Sequence, residues 1–426
     1  MKLSKKVFLI TNGCPENRID LARMQEFLKG NGWTVTSTIE DADIIFFNTC
    51  GLTHYNQEIS IKIINQLKDR KKPSAELIVC GCLPKINKDC LREVYQGFTF
   101  GSDEIERLTE IIETKTSPQD TYANYLFPFT EDISRFRQYI PHFRKLLSFM
   151  AIKERLTIGY YERLCQAINV FHPYSFCIKV STGCLGACAF CAVKLSRGTV
   201  KSKPIHKVVA EFEEGLAKGY TEFALIGTDL GSYGRDQGTT LVALLRELVT
   251  RKGDYQIRLR NIQPRFLLEM MPGLRNLFQS GKISYLSSAA ESGNNRILKL
   301  MNRGYRVEDF KEAILTINRE FPKIQLRTQL MAGFPSETED EFQDTVRLLD
   351  EVSFDFVETY MFQPRPNTKA ANMEDQIPEK VARRRYHKLF MKSLFNEKER
   401  KNKALKEYKE NLKKWGSPPN MIKKGN

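Results

Sequence analysis

Six β-like runs, "FCIKVST", "EFALIGT", "QIRLRNI", "ISYLSSA", "IQLRTQLMAG" and "FDFVETYMFQ", succeed one another between Phe176 and Gln363, and the gaps between them are long enough for helices. A strand that returns to its own sheet through a helix must lie parallel to the strand it left, by a right-handed crossover. Six such units in series leave a partial (β/α)6 barrel or an open α/β sheet. The first hundred residues show the same alternation on a smaller scale: "KVFLIT", a helix from about Asn17 to Gly30, "WTVTS", "ADIIFFNTC", a helix from about His54 to Arg70, "ELIVCGC", and another helical stretch. That order makes a small doubly wound parallel sheet. A length of 426 residues accommodates both units as separate cores.

The chain holds ten cysteines. Its start, "MKLSKKVFLITNGC", is a short basic stretch running into a strand rather than a secretory leader, so the compartment is expected to be reducing and the cysteines thiols or metal ligands. No apolar run approaches the length that crosses a bilayer, and a soluble, cytoplasmic protein with no membrane partner is expected. Cys14, Cys50 and Cys82 each fall just beyond the apolar run of a strand. Strand C-termini in a doubly wound sheet share one edge, so three cysteines far apart in sequence can meet there. Cys80 is expected to face the core, and Cys90, Cys165 and Cys177 to be buried thiols.

A second trio stands in "STGCLGACAFCAVKLSRG", where Cys184, Cys188 and Cys191 follow the first barrel strand in a loop with Gly183, Gly186 and Gly198. A closed zinc site needs a fourth ligand nearby, and the next histidine, His206, lies beyond a strand-like stretch and a proline. A thioredoxin-type pair would open a helix in a different topology. Three thiolates can instead hold a cubane cluster by three of its irons and leave the fourth open to a small molecule.

The Cys-x3-Cys-x2-Cys spacing with Phe190 before the last cysteine, at the end of the first of six βα units, resembles the radical S-adenosylmethionine superfamily. The resemblance implies a [4Fe-4S] cluster on Cys184, Cys188 and Cys191, with S-adenosylmethionine at the open iron. "SSAAESGNNRILKLMNRGY" is similar to the fourth-strand segment and puts Glu291 and Ser292 at the cofactor ribose. "LRTQLMAGFPSETEDEF" is similar to the fifth, with Arg327 toward the cofactor carboxylate and "GFPSET" forming a turn and helix cap. "IGTDLGSYGRD" is similar to the second, with Thr228 and Asp229 near the methionyl amine.

On the first domain, "TNGCPENRID", "FNTCGLT" and "VCGCLPK" resemble the three cysteine segments of the methylthiotransferases within that superfamily. Cys14, Cys50 and Cys82 would then hold an auxiliary [4Fe-4S] cluster carrying sulfide or persulfide. The implied reaction replaces an unactivated C–H by C–SCH3: one S-adenosylmethionine supplies a 5′-deoxyadenosyl radical and a second methylates the cluster-bound sulfur. An electron donor such as flavodoxin or ferredoxin is implied as a partner. The expected organisation is an N-terminal domain over 1–112, a helical linker or insertion over 113–173, the partial barrel over 174–370 and a basic helical tail over 371–426.

Two features set this chain apart from the usual pattern. Residues 380–426 carry sixteen Lys or Arg against four Glu, leaving only about +3 of the net +15 for the rest. This tail stands where family members carry a small β-barrel that grips substrate. The segment from Ser117 to Pro173 is long, and interleaves Phe136, Tyr139, Phe143, Tyr160, Tyr161 and Phe171 with basic residues, as a substrate lid or as helices packed on the barrel. Together these favour a peptide or protein substrate, such as a ribosomally made precursor peptide, over the alternative of a transfer RNA adenosine, although "QPRPNTKAA" resembles the RNA-modifying branch. Radical sulfur insertion without methyl transfer, and a non-catalytic iron–sulfur or RNA-binding scaffold, are the remaining alternatives.

Overall fold

The computed structural model describes residues 5–118, 120–128, 172 and 174–415. Strands β1 (Lys6–Thr11), β2 (Thr34–Val35), β3 (Ile44–Thr49), β4 (Glu76–Gly81) and β5 (Thr99–Gly101) form one all-parallel sheet in the order 2-1-3-4-5. Every residue of β3, "IIFFNT", is buried, because helices cover both faces of the sheet. Helix α1 (Pro15–Gly30) closes one face through Leu21, Met24, Phe27 and Leu28. Helix α2 (His54–Arg70) closes the other through Ile59, Ile63, Ile64 and Leu67, whose spacing makes a single apolar stripe. Each of these side chains contributes about 1.5–3 kcal/mol by leaving water. Thr53 caps α2 by accepting from the Asn56 N–H at 3.1 Å. Two short helices, α3 (Leu83–Ile86) and α4 (Lys88–Val94), follow β4.

The second sheet holds β6 (Phe176–Lys179), β9 (Glu222–Ile226), β10 (Gln256–Leu259), β11 (Ile283–Ser287), β12 (Gln325–Ala332) and β13 (Phe356–Met361), parallel and in chain order. This is the six-unit partial barrel expected from the sequence. Between β6 and β9, a short antiparallel pair, β7 (Ser181–Thr182) with β8 (Lys201–Ser202), pins the base of a loop containing helix α5 (Val193–Arg197). Helices α6 (Ile205–Ala217), α7 (Leu241–Val249), α8 (Pro264–Phe278), α9 (Asn295–Leu300), α10 (Val307–Glu320) and α11 (Glu339–Glu351) alternate with the strands. Outward strand residues such as Ile178, Leu225, Ile257, Leu286, Leu326 and Val357 share one core with these helices. The "GFPSET" segment ends in a capping box between Thr338 and Glu341 that starts α11.

After β13 the chain forms α12 (Glu379–Phe395) and α13 (Lys398–Trp415). Lys401, Ala404, Leu405 and Tyr408 recur at helical spacing on α13, and the last three pack with Cys177, Ala224, Tyr285 and Phe356 of the barrel interior. Arg400 clamps Asp355, just before β13, at 3.1 and 2.8 Å, while Tyr408 lies 5.2 Å from His172, just before β6. The helix therefore closes the barrel floor, and the basic tail is partly a structural element.

Three expectations need correction. "WTVTS" yields only the two-residue strand β2, because Gly32 sits at φ +85° and Trp33 turns into the core. The described part of the expected helical insertion, residues 117–118 and 120–128, contains no helix. It runs as a strap along α1, where Arg18 and Arg23 hold the carbonyls of Phe127 and Thr121 at 2.7 Å, and crosses to the β6 edge through the Cys177 N–H to Asn124 O bond of 2.9 Å. The remaining insertion, with Phe136, Tyr139, Phe143, Tyr160, Tyr161, Cys165 and Phe171, lies outside the described residues. Finally, Cys80 and Cys177 are buried, but Cys90 is only half-buried at the start of α4, where Gln57 donates to its sulfur at 3.2 Å.

Candidate active site

Strands β1, β3 and β4 are neighbours whose C-terminal ends share one edge, at the point where the strand order reverses. Cys14, Cys50 and Cys82 leave that edge from the three strands. Gly81 holds φ +98°, and a Cβ there would meet Asn48 Oδ1 at 2.4 Å, so only glycine lets β4 turn into Cys82. Asn17 Oδ1 accepts from the Cys82 thiol at 3.5 Å and from the Cys14 thiol at 3.7 Å, so two of the three sulfurs converge on one atom. The Cys50 N–H donates to Asn12 Oδ1 at 2.9 Å, which fixes the third turn. Burial and the nearby Glu16 push the Cys14 thiol up, and a bound cationic centre would reverse that by favouring the thiolate.

Cys184, Cys188 and Cys191 stand at the C-terminal end of β6. Gly183, at φ +82°, passes so close to Thr199 that a Cβ would lie 2.0 Å from its carbonyl oxygen. Burial and Asp229 push the Cys184 thiol up to about 12, and burial raises Cys191. Cys188 Sγ accepts from Gln263 Nε2 and from Arg303 Nη1, both at 3.2 Å, and Cys184 Sγ accepts from the Gly186 N–H at 3.0 Å. A neutral thiol is a weak acceptor, whereas a metal-bound thiolate draws such donors, so the donor set fits an iron–sulfur centre. Among the described residues no three His, Cys, Asp or Glu side chains converge closely enough to hold a single metal ion.

The elements that carry the two trios meet across the domain boundary. Helix α3 packs on α5, with Cys82 and Ile86 against Ala192. Arg197, at the end of α5, reaches into the N-terminal domain. Its Nε lies 3.2 Å from Glu16 Oε2, its Nη1 donates to Asp20 Oδ2 at 3.1 Å, and its Nη2 donates to Asn17 Oδ1 at 2.7 Å. Lys179 of β6 adds a second ion pair to Asp20. Burial opposes charge on Asp20, but Lys179 and Arg197 outweigh it and hold its carboxyl below the usual range.

The other expected site residues distribute unevenly. Glu291 has φ +70°, an uncommon conformation for a non-glycine residue, held by Glu291 N–H to Gln329 O and Met331 N–H to Glu291 O bonds of 2.8 Å each. Burial pushes its carboxyl up. Asp229 stands beside the cysteine loop, 3.5 Å from Cys184 Sγ, and accepts from the Gln263 N–H at 3.1 Å and Ser232 Oγ at 2.6 Å. Thr228 bridges the domains, accepting from the Gly183 N–H at 3.1 Å and donating to Glu16 Oε2 at 3.0 Å. Phe190 packs edge-on against Phe334 at 6.5 Å. Ser292 is fully buried with Thr345, 3.2 Å away. Arg327 points into the barrel but is paired with Glu358, which also accepts from Gln329 at 2.9 Å.

Sequence reasoning missed Asn17, Asp20, Arg197, Gln263, Arg303 and Arg365. Asn17 lies three residues after Cys14, and Asp20 three further on, a helical spacing that puts all three on one face. That signal was available in "CPENRID". Arg197, Gln263 and Arg303 carry no comparable local mark, because their partners are distant in sequence.

Residues 6–101 match the uncharacterized protein family UPF0004, and residues 178–349 match the radical SAM superfamily. A probable threonylcarbamoyladenosine tRNA methylthiotransferase of Pyrococcus horikoshii is 31% identical over 382 residues, covering 89% of this chain and 82% of its own. The ribosomal protein uS12 methylthiotransferase RimO of Protochlamydia amoebophila is 29% identical, covering 90% of this chain and 75% of its own. Among solved structures, the radical S-adenosylmethionine methyltransferase TsrM of Kitasatospora setae superposes with a TM-score of 0.58 at 12% identity, over 86% of this chain and 77% of its own. At that identity the likeness concerns the fold alone.

Proposed function

This chain belongs to the radical S-adenosylmethionine methylthiotransferase family, and on that premise we propose that it exchanges an unactivated C–H of a peptide or protein residue for C–SCH3. The superfamily domain implies a [4Fe-4S] cluster with S-adenosylmethionine, and the N-terminal domain family implies a second cluster. In this reading Cys184, Cys188 and Cys191 hold the first, and Cys14, Cys50 and Cys82 the second with its sulfide or persulfide. Bound there, these groups supply hydrogen abstraction and a transferable methylated sulfur, chemistry that no side chain here provides.

The protein's contribution is position and electrostatics. Gln263 and Arg303 direct N–H groups at Cys188, Thr228 accepts from the Gly183 N–H of the cysteine loop, and Asp229 stands against the Cys184 sulfur. Glu291 and Ser292 lie on the segment assigned to the ribose, and Arg327 lines the barrel. The observation that carries the proposal is the Arg197 bridge, which joins the loop of one trio to Asn17 between the thiols of the other. Two reacting groups held across one rigid boundary meet without a diffusional step.

The substrate class is argued from charge. A nucleic-acid groove needs unpaired basic side chains along one face. In the tail, Arg383, Arg385, Lys392 and Arg400 pair with Glu379, Glu339, Asp350 and Asp355 respectively, and Lys401 is buried. Part of that excess charge is therefore engaged in ion pairs and packing rather than displayed along one face, which favours a peptide or protein. A transfer RNA adenosine is the second reading, favoured by the exposed Lys406, Lys409 and Lys413 on the outer side of α13.

Mass spectrometry after expression in a host lacking its own methylthiotransferases separates the two. A gain of about 46 Da, the exchange of H for SCH3, on a peptide residue supports the first reading. The same gain on a transfer RNA nucleoside, with unmodified peptides, overturns it in favour of the second.

A further inference from the structure

Arg365 belongs by sequence to the segment leaving β13, yet its guanidinium ends inside the N-terminal domain, 3% exposed. Nη2 donates to Gly51 O and to Gln57 Oε1, both at 2.7 Å. Among the described residues, the buried Nε and Nη1 meet no acceptor. A buried cation with two unmatched donors is held at a cost that an anion placed against them would remove.

Several features point to where that anion sits. Gly51 adjoins Cys50, and the thiols that bear electrostatically on Arg365 are Cys50 and Cys90. The N-terminus of α2, a helix of 17 residues, opens at the same place under its Thr53 cap. The His54 N–H donates to Gln363 Oε1 at 3.1 Å and His54 Nε2 lies 3.2 Å from Pro364 O, so the barrel segment carrying Arg365 is docked on that helix end. A helix N-terminus and a guanidinium fork both favour negative charge, and the fork matches an acceptor approached by two N–H groups.

We propose that Arg365 is a positioning residue that uses Nε and Nη1 to hold a small sulfur anion of the hydrosulfide class beside the centre formed by Cys14, Cys50 and Cys82. The inference rests on the two-cluster reading above and adds a barrel residue to the auxiliary site. It gives the barrel a direct hold on the sulfur to be transferred, so that docking of the two domains and loading of sulfur are linked.

The test uses the full chain carrying Cys184→Ala, Cys188→Ala and Cys191→Ala, so that the auxiliary cluster gives the only paramagnetic signal after anaerobic reconstitution and reduction. Sodium hydrosulfide is titrated against that signal with Arg365 intact, with Arg365→Gln and with Arg365→Lys. The half-saturating concentration is expected to rise roughly ten- to a hundredfold in Arg365→Gln, and less in Arg365→Lys, at equal iron content per chain. An unchanged half-saturation at equal iron content overturns the inference. Where Arg365→Gln takes up less iron, Arg365→Lys decides in the same way, a several-fold rise supporting the inference and no rise overturning it. Absence of any cluster signal with Arg365 intact would instead overturn the two-cluster reading beneath it.

Discussion

Arg197 donates to Asn17 Oδ1 at 2.7 Å from the helix that follows the barrel cysteines, and the same oxygen lies 3.5 Å from Cys82 Sγ. Its side chain is 1% exposed, and Glu16 and Asp20 complete its shell. Arg197→Ala leaves two buried carboxylates short of their partner, a loss of about 3–5 kcal/mol. Denaturant unfolding of the variant is the check. A change below about 1 kcal/mol, the range of exposed ion pairs, would contradict the bridging role.

The strands of both sheets were legible because each is a short apolar run bounded by turns and followed by a helical pattern. β5 and β8 were not, since "TFG" and "KS" are too short to show any period. The cysteine trios were legible as ends of strands, because strand C-termini share an edge whatever loops follow. Arg197, Gln263 and Arg303 were hidden because an arginine or glutamine whose partner lies across the fold has no sequence spacing to betray it. The packing role of the tail was hidden for a related reason. Ala404, Leu405 and Tyr408 form a stripe too sparse to stand out among the lysines, yet the open barrel floor gave them a surface to cover.

Arg303, 5% exposed, approaches Cys188 Sγ at 3.2 Å. Burial opposes its charge, but Cys188 and Glu291 keep it protonated. A cation and donor at a cluster sulfur favours the more negative, reduced state. Arg303→Gln is therefore expected to lower the midpoint of the barrel cluster by roughly 50 mV, the one-electron equivalent of about 1 kcal/mol. A redox titration followed by electron paramagnetic resonance measures it, and an unmoved midpoint would remove Arg303 from the account.

Glu337 supplies a pH prediction. It is 2% exposed and accepts from the Gly333 N–H at 2.9 Å and from Arg385 at 3.0 Å. Burial pushes its carboxyl from 4.5 up to about 7 despite both donors. Because the folded value exceeds the unfolded one, the folded state keeps a proton that the unfolded chain has lost between them. The associated stability is complete below about 4.5 and is lost as pH rises through about 7, an effect of roughly 3 kcal/mol. Denaturation series for the unsubstituted chain and Glu337→Gln are expected to diverge over that window, with the variant flatter. Parallel curves would show that Glu337 is ionised throughout.

The central claim is that the two trios have separate roles, one for activating the cofactor and one for delivering sulfur. The most direct measurement is product analysis of Cys82→Ala, reconstituted anaerobically and given reductant, S-adenosylmethionine and substrate. The account predicts that 5′-deoxyadenosine still forms while the product gaining about 46 Da disappears. Methylthiolated product from Cys82→Ala at the level of the unsubstituted chain would contradict it.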